Sequence, residues 1–332
     1  MVTLAAGPPL ARGAGASPRL FFLDIRGGRL VSANPDGSDT KTLITGLHGT
    51  PDGIVIDAEA GYIYWTHMGA ASADDGYIQR ATLDGNEMRK IVPDGGTFTP
   101  KQLKLDAKHG KLYWSDREGM RIMRANADGS HIETLIETGH GAADRARQAN
   151  WCVGIALDVN AGQVYWTQKG GSPANMGSIR RANLEIPPGM DAAHRSDVEV
   201  LVDGLPEPID LDLDVRTRMM YWTDRGDPPR GNTVTRAPMD PPDGANPSTR
   251  SDLQILFGGL KEGIGIALDT TRGRLYATDL GGNVYSANLD GSDHRAILTG
   301  QGSLTGIAFA DTVDGMPARA YKAVISPAAR RH

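Results

Sequence analysis

The stretch "GYIYWTHMG" at residues 61–69 decides the fold, because the chain goes on to rewrite it. Its echoes are "GKLYWSDRE" (110–118), "GQVYWTQKG" (162–170), "RMMYWTDRG" (218–226) and "GRLYATDLG" (273–281), with a fainter "RLFFLDIRG" (19–27) ahead of them. The first aromatic position is Phe21, Tyr64, Tyr113, Tyr165, Tyr221 and Tyr276, at intervals of 43, 49, 52, 56 and 55 residues. A period of that size, filled with short alternating stretches, is the mark of a propeller blade of four strands. The second period shows all four: "GIVID" (53–57), "YIYWT" (62–66), "YIQRATLDG" (77–85) and "RKIV" (89–92), separated by turn-forming residues.

Turn chemistry repeats with the strands. "NPDGS", "TLDGN", "NADGS" and "NLDGS" fall at 34–38, 82–86, 126–130 and 288–292, each between a third and a fourth strand. Asp-Gly suits a hairpin because glycine takes positive φ without a Cβ clash. The fourth and fifth periods have longer, proline-bearing connections instead. The first-strand stretches run from "GIVID" to "LTGIAFA" at 304–310, which has no aromatic partner after it, while "RLFFLD" has no first strand before it. The expectation is an all-β, six-bladed propeller with four antiparallel strands per blade. Its first blade is closed by the C-terminal strand, which leaves no sheet edge open. Residues 18–316 form this single domain, with a flexible leader over 1–17 and a tail over 317–332.

Composition narrows the function. The chain has 332 residues, 42 of them glycine against an average of ~7%. Lys and Arg number 35 and Asp and Glu 40, for a net charge of −5. No concentrated basic run marks a nucleic-acid groove, and no window of ~18 apolar residues marks a membrane span. The single cysteine, Cys152, excludes an intramolecular disulfide and favours a reducing, cytoplasmic setting, with secretion as the alternative.

These residues resemble the YWTD six-bladed propeller family known from lipoprotein-receptor ectodomains. "YW[TS]" recurs four times at blade spacing, and the match covers roughly residues 19–310. The resemblance implies that the motif Tyr and Trp residues (Trp65, Trp114, Trp166, Trp222) pack between blades. Receptor members bind proteins and carry flanking disulfide-rich modules, which this chain lacks, so it reads as a stand-alone member.

Function is sought where a blade departs from its own repeat, at the channel mouth formed by loops leading into first strands and leaving second strands. First-strand position one reads Gly53, Gln102, Gly154, Asp210, Gly265 and Gly306; position three reads Val55, Lys104, Ala156, Asp212, Ala267 and Ala308. These positions share a face. Gln102, Lys104, Asp210 and Asp212 therefore either line a wet channel or grip a polar ligand. The second strands end on Asp24, His67, Asp116, Gln168, Asp224 and Asp279, so His67 and Gln168 stand out, each before a long loop. The loop 137–154 holds His140 and Trp151, the latter a hydrophobic plug or an aromatic platform. Cys152 reads as a small buried hydrophobe rather than a nucleophile. Asp52, Glu207 and Glu262 complete an acidic mouth.

No standard catalytic or metal signature is present, and the expectation is no cofactor and no functional metal. A bound calcium would need Asp52, Glu207, Asp210, Asp212 and Glu262 to converge. Two functions follow. One is a non-catalytic module that binds a small polar molecule or peptide at the mouth, using His67, Gln102, Lys104, Trp151, Gln168, Asp210, Asp212 and Glu262. The other is a lactonase, hydrolase or cyclase with His67, His140 or Asp210 as the acid–base group.

Overall fold

A computed structural model describes residues 16–171 and 174–313; the leader and tail fall almost wholly outside the described residues. Twenty-four strands form six antiparallel sheets of four. The second blade runs outward from the axis as Pro51–Asp57, Tyr62–His67, Tyr77–Thr82 and Arg89–Val92, within three residues of the segments its sequence suggests. The first blade combines both ends of the described chain. Leu304–Val313 pairs with Ala16–Asp24, from Ala16 opposite Val313 to Asp24 opposite Leu304, and Arg29–Ala33 and Lys41–Thr45 complete it. The six-bladed ring is thereby closed.

The core is a set of joints between consecutive blades. Tyr64 and Ile78 of the second blade pack with Leu103 and Trp114 of the third. Trp166 packs with Tyr113 at the next joint, and Trp222 with Tyr165 at the one after. Phe22 stands at the tryptophan position of the first blade and packs with Tyr276 of the sixth. All four motif tryptophans are at most 1% exposed. Truncating one to Ala would cost ~3–5 kcal/mol.

Position-one glycines bring the innermost strands together. A Cβ on Gly154 would lie 2.3 Å from the Ile209 carbonyl oxygen of the next blade, and one on Gly53 would lie 2.3 Å from that of Lys101. The motif hydroxyls tie the same strands. Thr167 Oγ1 accepts the Gly154 N–H at 2.7 Å and donates to the Ile209 carbonyl at 2.7 Å. Thr66, Ser115, Thr223 and Thr278 likewise donate to the next blade's innermost strand.

The motif aspartates hold the lead-in loops over the face where first strands begin. Asp116 accepts from Phe98 N and Thr99 N, Asp224 from Glu207 N, and Asp279 from Lys261 N. Among the described residues, no helix is long and apolar enough to cross a membrane.

Candidate functional site

The innermost strands begin at the mouth of the ring. Just before position one stand Thr305, Asp52, Lys101, Val153, Ile209 and Ile264. Val153, Ile209 and Ile264, from three successive blades, form an apolar cluster with Leu280 packed against it. Asp52 and Lys101 form a buried ion pair, and Gln102 Nε2 donates to the other Asp52 oxygen at 2.9 Å. One half of the bore is thus apolar and the other polar.

A charged network surrounds these strand starts. Glu207, 3% exposed, takes Lys169 Nζ at 2.7 Å and Arg225 Nη2 at 2.5 Å on the same oxygen. Arg225 also lies 3.7 Å from Glu262 at the rim. Arg117 pairs with the buried Glu118 at 2.5 Å. Burial pushes Lys101 and Lys169 below the usual lysine range, and the charges of Arg117 and Arg225 push the same way, opposed by Asp52 and Glu207. Burial raises the Glu118 carboxyl, but the Arg117 guanidinium outweighs it and leaves a net lowering. The sequence suggested an acidic mouth; its carboxylates Asp52, Glu207 and Glu262 are each faced by a cation.

Trp151 belongs to this network. It is half-buried, and its Nε1–H donates to the Arg145 carbonyl at 2.8 Å. Arg117 stands 5.0 Å and Lys169 5.6 Å from its ring centre, within cation–π range. The ring steadies two mouth cations.

Deeper in the channel Lys104 Nζ reaches across the fourth blade to Asp212 at 3.2 Å. Burial opposes the Lys104 charge, but Asp212 and Asp210 prevail and hold its pKa above the usual value. Asp210 accepts from Leu211 N at 2.8 Å and, in the next blade, from Ile266 N at 3.0 Å. Burial pushes Asp210 up to about 7 against the pull of Lys104. Asp212 accepts from Leu213 N and Leu268 N in the same manner. These carboxylates bridge the fifth and sixth blades at positions where four of the other five blades carry glycine, alanine or valine.

The remaining candidates lie apart. His67 is 0% exposed. Its Nε2 accepts from Trp65 Nε1 at 2.6 Å and lies 2.6 Å from Gln79 Oε1, and its ring stacks on Tyr77 at 4.2 Å. Burial lowers its pKa to about 4. Gln168 is also buried and donates to the Ala149 carbonyl at 2.8 Å. His140 stands in solvent beside Glu137. His67, His140 and Asp210 do not share a hydrogen-bonded site. Cys152 is buried, which pushes its thiol up to about 12. Among the described residues, no group of three His, Cys, Asp or Glu side chains is placed to hold a metal.

Sequence reasoning missed Lys101, Arg117, Lys169 and Arg225. The signal was there: the residue after each motif is Ile25, Met68, Arg117, Lys169, Arg225 and Leu280. Three consecutive blades put a base where the others put an apolar residue.

A closed ring of six YW[TS]-bearing blades defines a YWTD-type β-propeller. No family model matches the chain. It is 46% identical over 306 residues to a "Low-density lipoprotein receptor-related protein 1" of Pyricularia oryzae, covering 88% of this chain and 98% of that one. The chain belongs to the low-density lipoprotein receptor-related family of YWTD propellers. It is also 38% identical over 308 residues to a "3-hydroxyacyl-CoA dehydrogenase-like protein LAM1" of Cochliobolus heterostrophus, covering 88% of this chain but 65% of that protein's length. Among solved structures, a nidogen/laminin complex matches with a TM-score of 0.66 at 21% identity, over 88% of this chain and 98% of that one. TolB of Acinetobacter baumannii matches with 0.62 at 13%, over 89% and 67%. At these identities the likeness is one of fold.

Proposed function

We propose that this propeller is a binding module whose channel mouth receives a polar small molecule or peptide. The observation that carries this reading is the charged network at the mouth. Lys101, Lys169 and Glu207 are nearly buried and Trp151 supports two of the cations, so the groups are held in place before any ligand arrives. Pre-organised polar groups lose little freedom on binding, and their low-dielectric setting strengthens each contact. Rings built from repeats have this rigidity by construction, while the mouth loops vary freely. The reading requires neither a metal nor a cofactor.

Melting temperatures of the wild type and of Lys169→Met, measured against a panel of peptides and polar metabolites, test it. A ligand present at 100 times its Kd stabilises the native state by ~2.7 kcal/mol. The expected result is a compound that raises the melting temperature of the wild type and not of the variant. Equal stabilisation of both proteins would place the ligand elsewhere, and turnover of a bound compound would replace a binding module with an enzyme.

A further inference from the structure

We infer that the group received at the mouth is a carboxylate, offered by an acidic peptide or a small dicarboxylic acid and held by Arg117, Lys169 and Arg225. This inference rests on the mouth being the ligand site. The first observation is the layering of charge. The carboxylates of Asp52, Glu118 and Glu207 are 0–4% exposed, while the guanidinium side chains paired with Glu118 and Glu207, Arg117 and Arg225, are 21% and 28% exposed. Acidic groups lie underneath and cations end outward. Glu262, 59% exposed and 3.7 Å from Arg225, is the outward-facing carboxylate of this network and sits at its rim.

The second observation is the crowding at Glu207. One of its oxygens serves both Lys169 and Arg225, which brings these two cations together, and the other carboxylate near Arg225 is Glu262 at 3.7 Å. The third is mutual repulsion: Lys101 and Lys169 each feel both Arg117 and Arg225. Cations gathered this closely repel one another even though the carboxylates beneath match them in number, and an incoming anion relieves that repulsion. Guanidinium groups present paired N–H donors that match a carboxylate edge. Trp151 acts here as a positioning residue, since two cations stand on its ring and its N–H is already bonded. The apolar cluster of Val153, Ile209 and Ile264 beside this network keeps the local dielectric low.

The test uses the full chain and four probes: capped hexaglutamate, hexaglutamine and hexalysine peptides, and succinate. Binding is followed by calorimetry at 50 mM and 300 mM salt. Hexaglutamate or succinate is expected to bind, at least tenfold more weakly at the higher salt and at least tenfold more weakly in Arg117→Ala and Arg225→Ala. Arg225→Gln serves if the alanine variant does not fold. Arg89→Ala, on an outermost strand, is expected to bind as the wild type does. Trp151→Leu is expected to weaken binding with the charge count unchanged. Binding by hexaglutamate alone or by succinate alone identifies the source. Preferential binding of hexalysine or hexaglutamine, lost in Arg225→Ala, overturns the carboxylate and leaves the mouth as the site. Hexaglutamate binding that ignores Arg117 and Arg225 overturns both, and absence of binding by every probe overturns the carboxylate.

Discussion

Thr305 Oγ1 donates to the Pro51 carbonyl, 3.0 Å away, at the one blade joint whose motif carries Leu23 in place of Thr or Ser. Elsewhere the motif hydroxyl makes the equivalent bond, as Thr66 does to Lys101 at 2.7 Å. In the first blade, assembled from distant segments, the hydroxyl comes from the neighbouring innermost strand and bonds a carbonyl one residue earlier than at the other joints. Six hydroxyls thus tie each innermost strand to the next.

Removing one tie has a definite cost. Thr167→Val keeps the shape but leaves the Gly154 N–H and the Ile209 carbonyl without their partner in a buried joint. An orphaned buried group costs ~1–3 kcal/mol, so the variant is expected to lose ~2–4 kcal/mol. Thr167→Ser is expected to lose far less. Urea unfolding of both decides it: equal midpoints for wild type and Thr167→Val would remove the hydroxyl from the account of ring closure.

The fold was legible because its causes are local and repeated. Each "YW[TS]" supplies an aromatic pair for a joint and a hydroxyl for the next strand, and each "DG" supplies a turn. The closure by residues 304–313 was legible from an unpaired strand at each end. The site was harder. Gln102, Lys104, Asp210 and Asp212 broke the repeat, and the structure uses Asp210 and Asp212 to bridge backbones and Lys104 to meet Asp212. A break in a repeat shows that a group is needed there, whether for a ligand or for a neighbouring strand. His67 replaces the loop-capping Asp, yet it turns inward against Trp65 and Tyr77, a direction that one-dimensional spacing does not encode.

His67 predicts a pH dependence of stability. Burial holds its folded pKa near about 4, below its ordinary value of 6.5. Between those values the unfolded chain binds more protons, so its contribution is complete above pH ~6.5 and declines as pH falls toward ~4. The shift corresponds to ~3 kcal/mol. His67→Gln removes the titrating ring while offering Trp65 Nε1 an acceptor. The difference in unfolding free energy between wild type and variant should therefore change by about that amount from pH 7 to pH 4. A constant difference would mean that His67 is already charged in the native state or does not titrate.

Cys152 is expected to be chemically silent. It is fully buried, its thiol is pushed up to about 12, and thiolate is the reactive form. A thiol-titrating disulfide reagent at pH 8 should find no accessible thiol in the native chain, and the single thiol after denaturation. Rapid native reaction would show that the joint between the third and fourth blades opens.

Gly154 offers the sharpest test of how closely the blades meet. A methyl group there would stand 2.3 Å from the Ile209 carbonyl oxygen and 3.0 Å from Asp210 Cα, both backbone atoms that no side-chain rotation can move. Gly154→Ala is therefore expected to cost ~3 kcal/mol or more, at the upper end of overpacking. Gly162→Ala, with nothing within 4 Å of its added carbon, keeps the space but carries a φ of +67° and should lose only a backbone contribution, ~1 kcal/mol on the scale of left-handed strain. Thermal unfolding of the pair separates the two causes. If Gly162→Ala proves the more damaging, turn conformation rather than contact between innermost strands limits the stability of the ring.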